Sequence, residues 1–250
     1  MSFEFSVNLC KKIYPHSFDD LMRYIQSCKP RSSVLITTLN TSHLRQASQN
    51  LALARIVSES FLLIADGMPV KLICRHILKM ECCRITGVEL VENILKNFDK
   101  VFVLGSSARA IEDSLVKLDL VELPSKVCYN NFNIDLNSES QLIKIASQIN
   151  LEKPKIVLLA LGIPKQEIMF ENLKKSGLII NPTIFIGVGG TFEILSGQFP
   201  RCPGPLQVIG LEWLWRLSME PKRLFRRYLF DGVFLLRLLI LHLISSIRNR

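Results

Sequence analysis

Asp66 carries the carboxylate best placed in this sequence for acid–base chemistry. It follows the apolar run Phe61-Leu62-Leu63-Ile64-Ala65 and precedes Gly67-Met68-Pro69. Five apolar residues ending at a turn signal read as a buried strand, and a proline just beyond suits the first turn of a helix. A carboxylate at the carboxyl end of such a strand stands where open α/β sheets bind ligands, which makes Asp66 a candidate general base. Asp is also a preferred helix N-cap, and its position at a strand end leaves that role open.

The other polar groups fall at the ends of similar runs. Residues 33–37, 101–104, 127–129, 156–160 and 183–187 read as further strands of about five residues, alternating with helices at 43–58, 69–78, 88–97, 108–118, 138–149 and 166–175. Ser17 is a candidate N-cap for a helix that runs to Ser27, and Ser138 with Gln141 resembles a capping box. Such alternation argues for repeated βαβ units and a Rossmann-like parallel α/β sheet flanked by helices. A parallel sheet gathers Thr37, Thr38, Asn40, Asp66, Gly105, Gly162, Gln166, Glu167, Gly189 and Gly190 along one edge. Glycine turns ahead of helices expose backbone N–H groups suited to phosphate, although each glycine alone also serves as a tight turn. Gly105-Ser106-Ser107 is neither a dinucleotide fingerprint nor a P-loop. In Pro164-Lys165-Gln166-Glu167, Lys165 suits phosphate and Gln166 can both donate to and accept from a sugar or base. Glu167 also suits the first turn of a helix.

Read in order, Asn40 with His43, Asp66-Gly67, Arg84-Ile85-Thr86-Gly87, Gly162-Ile163-Pro164-Lys165-Gln166-Glu167 and Leu211-Glu212-Trp213-Leu214-Trp215-Arg216-Leu217 resemble the WecG/TagA/CpsF family of bacterial glycosyltransferases. Glu220-Pro221-Lys222-Arg223-Leu224-Phe225-Arg226-Arg227-Tyr228 extends the likeness, which covers roughly residues 33–230. The resemblance implies an inverting, metal-independent and cofactor-free transfer in cell-surface polysaccharide biosynthesis. The sugar, of N-acetylmannosamine type, passes from a UDP-sugar donor to a polyprenyl-diphosphate-linked sugar. It also implies that Asp66 is the base and that Thr38, Asn40, Arg84 and Gln166 line the pocket. Thr86, Gly162, Lys165, Glu167 and Gly189 complete the expected substrate site. No Asp-x-Asp metal motif occurs, in keeping with metal-free chemistry. Phe192-Glu193-Ile194-Leu195-Ser196-Gly197 and Tyr129-Asn130-Asn131-Phe132 depart from the family's usual residues and bear on which sugar is held. The other reading of these residues is a non-catalytic nucleotide-sugar or lipid-binding module in which Asp66 is a cap.

The net charge of +9 is uneven, with +6 of it on residues 201–250. Arg216, Arg223, Arg226 and Arg227 recur at helical steps, which suits a lipid diphosphate and an anionic membrane surface. Residues 233–244 are almost wholly apolar, but twelve residues of helix span about 18 Å, short of a hydrocarbon core of roughly 30 Å. A helix lying in the interface is expected, peripheral to the cytoplasmic face of the bacterial plasma membrane. A helical hairpin packed on the core, or on another copy in a homo-oligomer, is the competing arrangement. Nucleic acid is not expected, because the arginines are interleaved with too much apolar surface. The Pro-rich stretch at 200–205 ends the α/β pattern, giving a catalytic domain over 1–197 and a helical, membrane-binding appendage over 198–250. The N-terminus lacks a signal-peptide pattern. Seven cysteines match no zinc or disulfide spacing and read as small buried hydrophobes in a reducing compartment.

Overall fold

A computed structural model describes residues 2–120, 127–130 and 133–248. Asn131 and Phe132, half of the departing loop above, and Arg250 of the basic tail lie outside the described residues.

In chain order, α1 (Ser2–Cys10) and α2 (Phe18–Ser27) lead to β1 (Val34–Leu39), α3 (Thr41–Gln49), α4 (Leu51–Ser58) and β2 (Leu62–Ala65). The short α5 (Met68–Leu72) continues as one π-helical stretch, Ile73–Ile77. Then come α6 (Gly87–Asn97), β3 (Val101–Gly105), α7 (Ala108–Lys117), β4 (Val127–Tyr129), α8 (Glu139–Glu152) and β5 (Ile156–Ala160). The chain ends with α9 (Lys165–Ser176), β6 (Ile184–Gly187), α10 (Phe192–Leu195), α11 (Gly204–Val208), α12 (Glu212–Met219) and α13 (Pro221–Arg248).

The six strands form one parallel sheet in the order β2-β1-β6-β5-β3-β4, as expected. Every residue of β3, β5 and β6 is buried, because helices cover both faces. Successive residues point to opposite faces. Ile36, Val101, Val103, Ile156, Leu158 and Ile186 pack against α2, α6 and α7. Leu35, Phe102, Leu104, Val157, Leu159 and Phe185 pack against α4, α8 and α9. A third cluster joins Leu39, Leu63 and Ala65 to α1, α3, α5 and, through Phe234 and Leu238, to α13. All seven cysteines are free, and four of them are buried.

Several boundaries differ from the expected ones. The helix expected over 43–58 is two helices, because Asn50 adopts extended backbone and its side chain accepts from the Ala52 and Leu53 N–H groups. β1 runs on through Thr38 to Leu39, where a loop was expected. Ser138 caps α8, but the Gln141 side chain accepts from the Asp135 N–H, so the reciprocal half of the box is not made. The described part of the tail holds three helices, α11, α12 and α13, and the last two are separate because Glu220 leaves helical geometry ahead of Pro221. Arg216 therefore does not share a continuous helix with Arg223, and their seven-residue step carries no periodicity. The last helix is also longer than the apolar run suggested: α13 has 28 residues, roughly 42 Å. Its stretch Pro221–Ile247 is long and apolar enough to cross a membrane by length and composition.

Candidate active site

Adjacent strands deliver the first groups. β1 and β2 are in register at Leu39 and Ala65, so the next residues, Asn40 and Asp66, emerge side by side at the sheet edge. The Asp66 N–H donates to the Leu39 carbonyl at 2.9 Å. On the other side of β2, Ala65 bridges Arg84, and the Ile85 N–H donates to the Ala65 carbonyl at 2.9 Å. Asp66 thus lies between Asn40 and Arg84, each held by backbone pairing.

Asp66 does not cap α5. Gly67 takes the N-cap position, at φ +89°, and no side chain caps that helix. A side chain is strained at that backbone angle, so glycine is required for the turn. The Asp66 carboxylate takes no hydrogen bond or ion pair among the described residues. Its pKa is pushed up to about 6, first by burial and then by the Glu212 carboxylate, against the lowering influence of Arg216, His43 and Arg84. A group of this proton affinity is mostly ionised at neutral pH yet still basic enough to take a proton.

Asn40 and Asp66 open into a cavity of about 370 Å³, within the usual range for small-molecule sites. Asn40, Asp66, Gly67 and Arg84 form its floor. Its roof comes from the C-terminal helices, with Glu212, Trp213 and Arg216 on α12 and Arg227, Tyr228 and Asp231 on α13. Arg84 donates to Glu212 at 3.2 Å, joining floor to roof. The Tyr228 ring meets Trp213 edge-on, and burial raises the Tyr228 pKa.

Asn40 also caps α3. Its side chain accepts from the His43 N–H, and its own N–H donates to His43 Nδ1, both at 3.3 Å. Nδ1 is therefore the accepting nitrogen, so the ring proton sits on Nε2 and is donated to Glu167 Oε1 at 2.9 Å. The Gln166 amide donates to the same oxygen at 2.7 Å. Gln166, Glu167 and His43 are almost completely buried. These three link the start of α9 to the start of α3 behind the cavity wall. Gly187 is needed beside them, because a Cβ there would sit 2.5 Å from the Gln166 amide nitrogen.

Of the sequence-predicted site residues, Asn40, Asp66, Arg84, Arg216 and Arg227 line the cavity. Gln166 and Glu167 do not reach it. Thr38 is buried and donates to the Gly187 carbonyl at 2.7 Å. Thr86 caps α6 in a reciprocal box with Glu89 and lines a small cleft next to the cavity. Gly162 and an exposed Lys165 form the turn after β5, outside the cavity lining. The Gly189 N–H is already donated to Leu159 and to Gln166. Arg223 pairs with Glu220, and Arg226 is exposed.

The sequence matches the glycosyl transferase WecG/TagA/CpsF family over residues 8–249, nearly the whole chain. This chain belongs to that family. It is similar to the N-acetylglucosaminyldiphosphoundecaprenol N-acetyl-beta-D-mannosaminyltransferase of Staphylococcus aureus strain MW2, 28% identical over 202 residues that cover 78% of this chain and 76% of the relative. The protein of the same name from strain NCTC 8325 is 27% identical over the same spans. The chain is therefore a glycosyltransferase, and its Rossmann-like α/β sheet is the scaffold of a sugar-transfer site.

In this WecG/TagA/CpsF enzyme the roof is tied down by a polar cluster that sequence reasoning missed. Asp231, almost fully buried, accepts from Arg45 Nε at 2.6 Å and from the Ser42 hydroxyl. Arg227 Nε donates to the same Ser42 hydroxyl at 2.7 Å. Ser42 and Asp231 are 189 residues apart, so no local pattern announces the pair. Glu212, Trp213 and Tyr228 stood inside the quoted tail motifs but were not assigned to the site.

Proposed function

We propose that this enzyme moves an N-acetylmannosamine-type sugar from a UDP-sugar to a polyprenyl-diphosphate-linked sugar, with inversion and with Asp66 as general base. The observation that carries this reading is the Asp66 carboxylate. It stands at a strand end, is not spent on a helix cap, keeps a proton affinity near neutrality, and faces Arg84 and Arg216. The names of the relatives supply the sugar and the lipid carrier.

In one step Asp66 takes the proton of the acceptor hydroxyl. The acceptor oxygen attacks the anomeric carbon opposite UDP, the new C–O bond forms, and the bond from that carbon to the diphosphate breaks with its electron pair leaving on UDP. Positive charge is needed for the leaving diphosphate, and guanidinium groups supply it with paired donors. Arg84 lines the cavity for this purpose, with Lys165 a further candidate for phosphate; Arg216 and Arg227 in the lining, with Arg223 and Arg226 beyond it, hold the diphosphate of the lipid acceptor. Thr38, Thr86, Gly162, Gln166, Glu167 and Gly189 act in this reading by holding the strand ends and helix starts that carry the lining groups.

Residues 198–250 act as an appendage that roofs the site and rests on an anionic membrane surface at the cytoplasmic face. Phe234 and Leu238 pack α13 on the domain, and Phe3 stacks on His242 near its end. The opposite face exposes Leu229, Val233, Leu236, Ile240, Leu243 and Ile247, at steps of three and four. Phe234 and Leu238 hold the middle of α13 against the domain, and its outer apolar stripe suits the membrane interface.

The test is UDP release with EDTA present. Release that requires both a UDP-sugar and a lipid-diphosphate-linked sugar supports the transfer. Binding of UDP without release would instead support the non-catalytic module.

A further inference from the structure

The carboxamide of Asn40 is pinned in one orientation. Its oxygen accepts from the His43 N–H at 3.3 Å, a place where the amide nitrogen cannot serve. The nitrogen is the remaining polar end, and it takes no hydrogen bond among the described residues. Asn40 and Asp66 follow adjacent strands, which stand about 4.8 Å apart, and both line the cavity. The floor therefore sets a free amide donor beside a free carboxylate acceptor. A hydroxyl group fits such a pair, with its proton toward the carboxylate and one lone pair toward the amide. Its second lone pair stays open for bond formation.

The amide is aimed from behind the cavity wall. The His43 ring accepts from the Asn40 N–H at Nδ1 and donates from Nε2 to Glu167 Oε1 at 2.9 Å. A carboxylate on one ring nitrogen fixes the tautomer and the orientation of an imidazole. Gln166 donates to the same Glu167 oxygen and accepts from the Gly189 N–H at 3.2 Å, which ties the ring to α9 and to the turn after β6. A helix cap needs none of this support, since asparagine caps a helix through its own oxygen. We propose that Asn40 donates its amide to the oxygen of the acceptor hydroxyl whose proton Asp66 takes, and that His43, seated on Glu167, is the positioning residue that aims it. The proton passes to Asp66, the amide holds one lone pair, and the other attacks the anomeric carbon. Such alignment of reacting atoms acts on kcat more than on binding. It rests on the reading of Asp66 as the base.

The test measures kcat, both KM values, UDP affinity and the thermal unfolding midpoint in the full chain, with a UDP-linked N-acetylmannosamine donor and a lipid-diphosphate-linked acceptor. Asn40→Ser keeps a good N-cap for α3 and removes the amide. Its kcat is expected to fall about 10-fold or more, with both KM values within about threefold and UDP affinity within about twofold. Glutamine carries its amide nitrogen near the place of Nε2, and asparagine carries its oxygen near the place of Nδ1. His43→Gln thus keeps the bond to Glu167 and frees Asn40, and it should lose kcat like Asn40→Ser. His43→Asn keeps the bond to Asn40 and gives up Glu167, so it should unfold at lower temperature than His43→Gln yet turn over faster. The Asn40→Ser/His43→Gln double variant should lie within about twofold of the slower single variant. An unchanged kcat in Asn40→Ser would overturn the proposal, and so would losses that multiply in the double variant. Turnover that merely follows the unfolding midpoint across the set would reduce His43 to a structural part. Asp66→Asn, measured alongside, separates the two readings. Near-normal turnover there removes the base and this proposal with it, whereas a fall there without one in Asn40→Ser removes the proposal alone.

Discussion

Arg84 and Glu212 meet at 3.2 Å between the sheet edge and the C-terminal helices. The same Glu212 carboxylate helps to raise the proton affinity of Asp66, and Arg84 opposes it. Closing the roof over the cavity therefore also tunes the proton affinity of Asp66 beneath it. Without α12, Asp66 would lose both Glu212 and Arg216 as neighbours and would be more exposed to water.

The pH profile follows from this tuning. Asp66 is pushed up to about 6, so kcat/KM should fall on the acid side with a midpoint near pH 6. Glu212→Gln removes a carboxylate that raises Asp66 and should move that limb to lower pH. Arg216→Gln removes a cation that lowers it and should move the limb to higher pH. Both residues also line the cavity, so the position of the limb is the readout, not the plateau. Limbs that coincide in all three proteins would detach Asp66 from the profile.

The same shift has a cost in stability. An unfolded aspartate titrates near 3.9, while the native one holds its proton to about 6. The native state is thus favoured most below about pH 4, and this share is lost as pH rises through 6. Asp66→Asn should raise stability by about 1–3 kcal/mol at pH 8, and by little at pH 4. Denaturant unfolding at the two pH values measures it. A residue retained for structure would show the opposite, destabilisation at pH 8.

Glu167 tests the wall behind the cavity. Its Oε1 accepts hydrogen bonds from His43 and Gln166 in a buried site. Glu167→Ala leaves both donors unsatisfied and should cost about 2–5 kcal/mol by denaturant unfolding. A loss of activity without that loss of stability would instead place Glu167 on the substrate.

How legible this was depended on distance along the chain. The strand ending at Asp66 was readable from five apolar residues and a glycine, and so was the parallel sheet. Gly67 was read as punctuation, yet its positive φ is what denies Asp66 the cap. Asn50 and Pro221 are ordinary helix-boundary residues, but apolar periodicity on both sides hid the breaks they make. Gln166 and Glu167 looked like ligand groups because they are polar and follow a strand. Their partner His43 lies 124 residues from Glu167, and only the folded chain shows that they face each other. The cluster of Ser42, Arg45 and Asp231 was hidden for the same reason.

That cluster predicts how the roof is held. Asp231→Ala removes the acceptor for Arg45 and Ser42 and should loosen α13 from α3. Limited proteolysis should then cut within residues 220–248 several times faster, while the sheet keeps its protection. Unchanged cleavage would show that apolar packing of Phe234 and Leu238 alone holds the helix.

Membrane contact is checked by vesicle flotation. Val233→Glu/Ile240→Glu places two charges on the outer stripe of α13 and should abolish flotation with anionic vesicles, while UDP binding persists. Flotation equal to the unaltered chain would remove the interfacial reading.

The most direct measurement is the turnover of Asp66→Asn with a UDP-linked N-acetylmannosamine donor and a lipid-diphosphate-linked acceptor, alongside its affinity for UDP. The amide keeps the size of the carboxylate and cannot take the proton. Turnover should fall by about 10²-fold or more with UDP affinity within about twofold of the unaltered enzyme. Near-normal turnover in Asp66→Asn would contradict the assignment of Asp66 as the base.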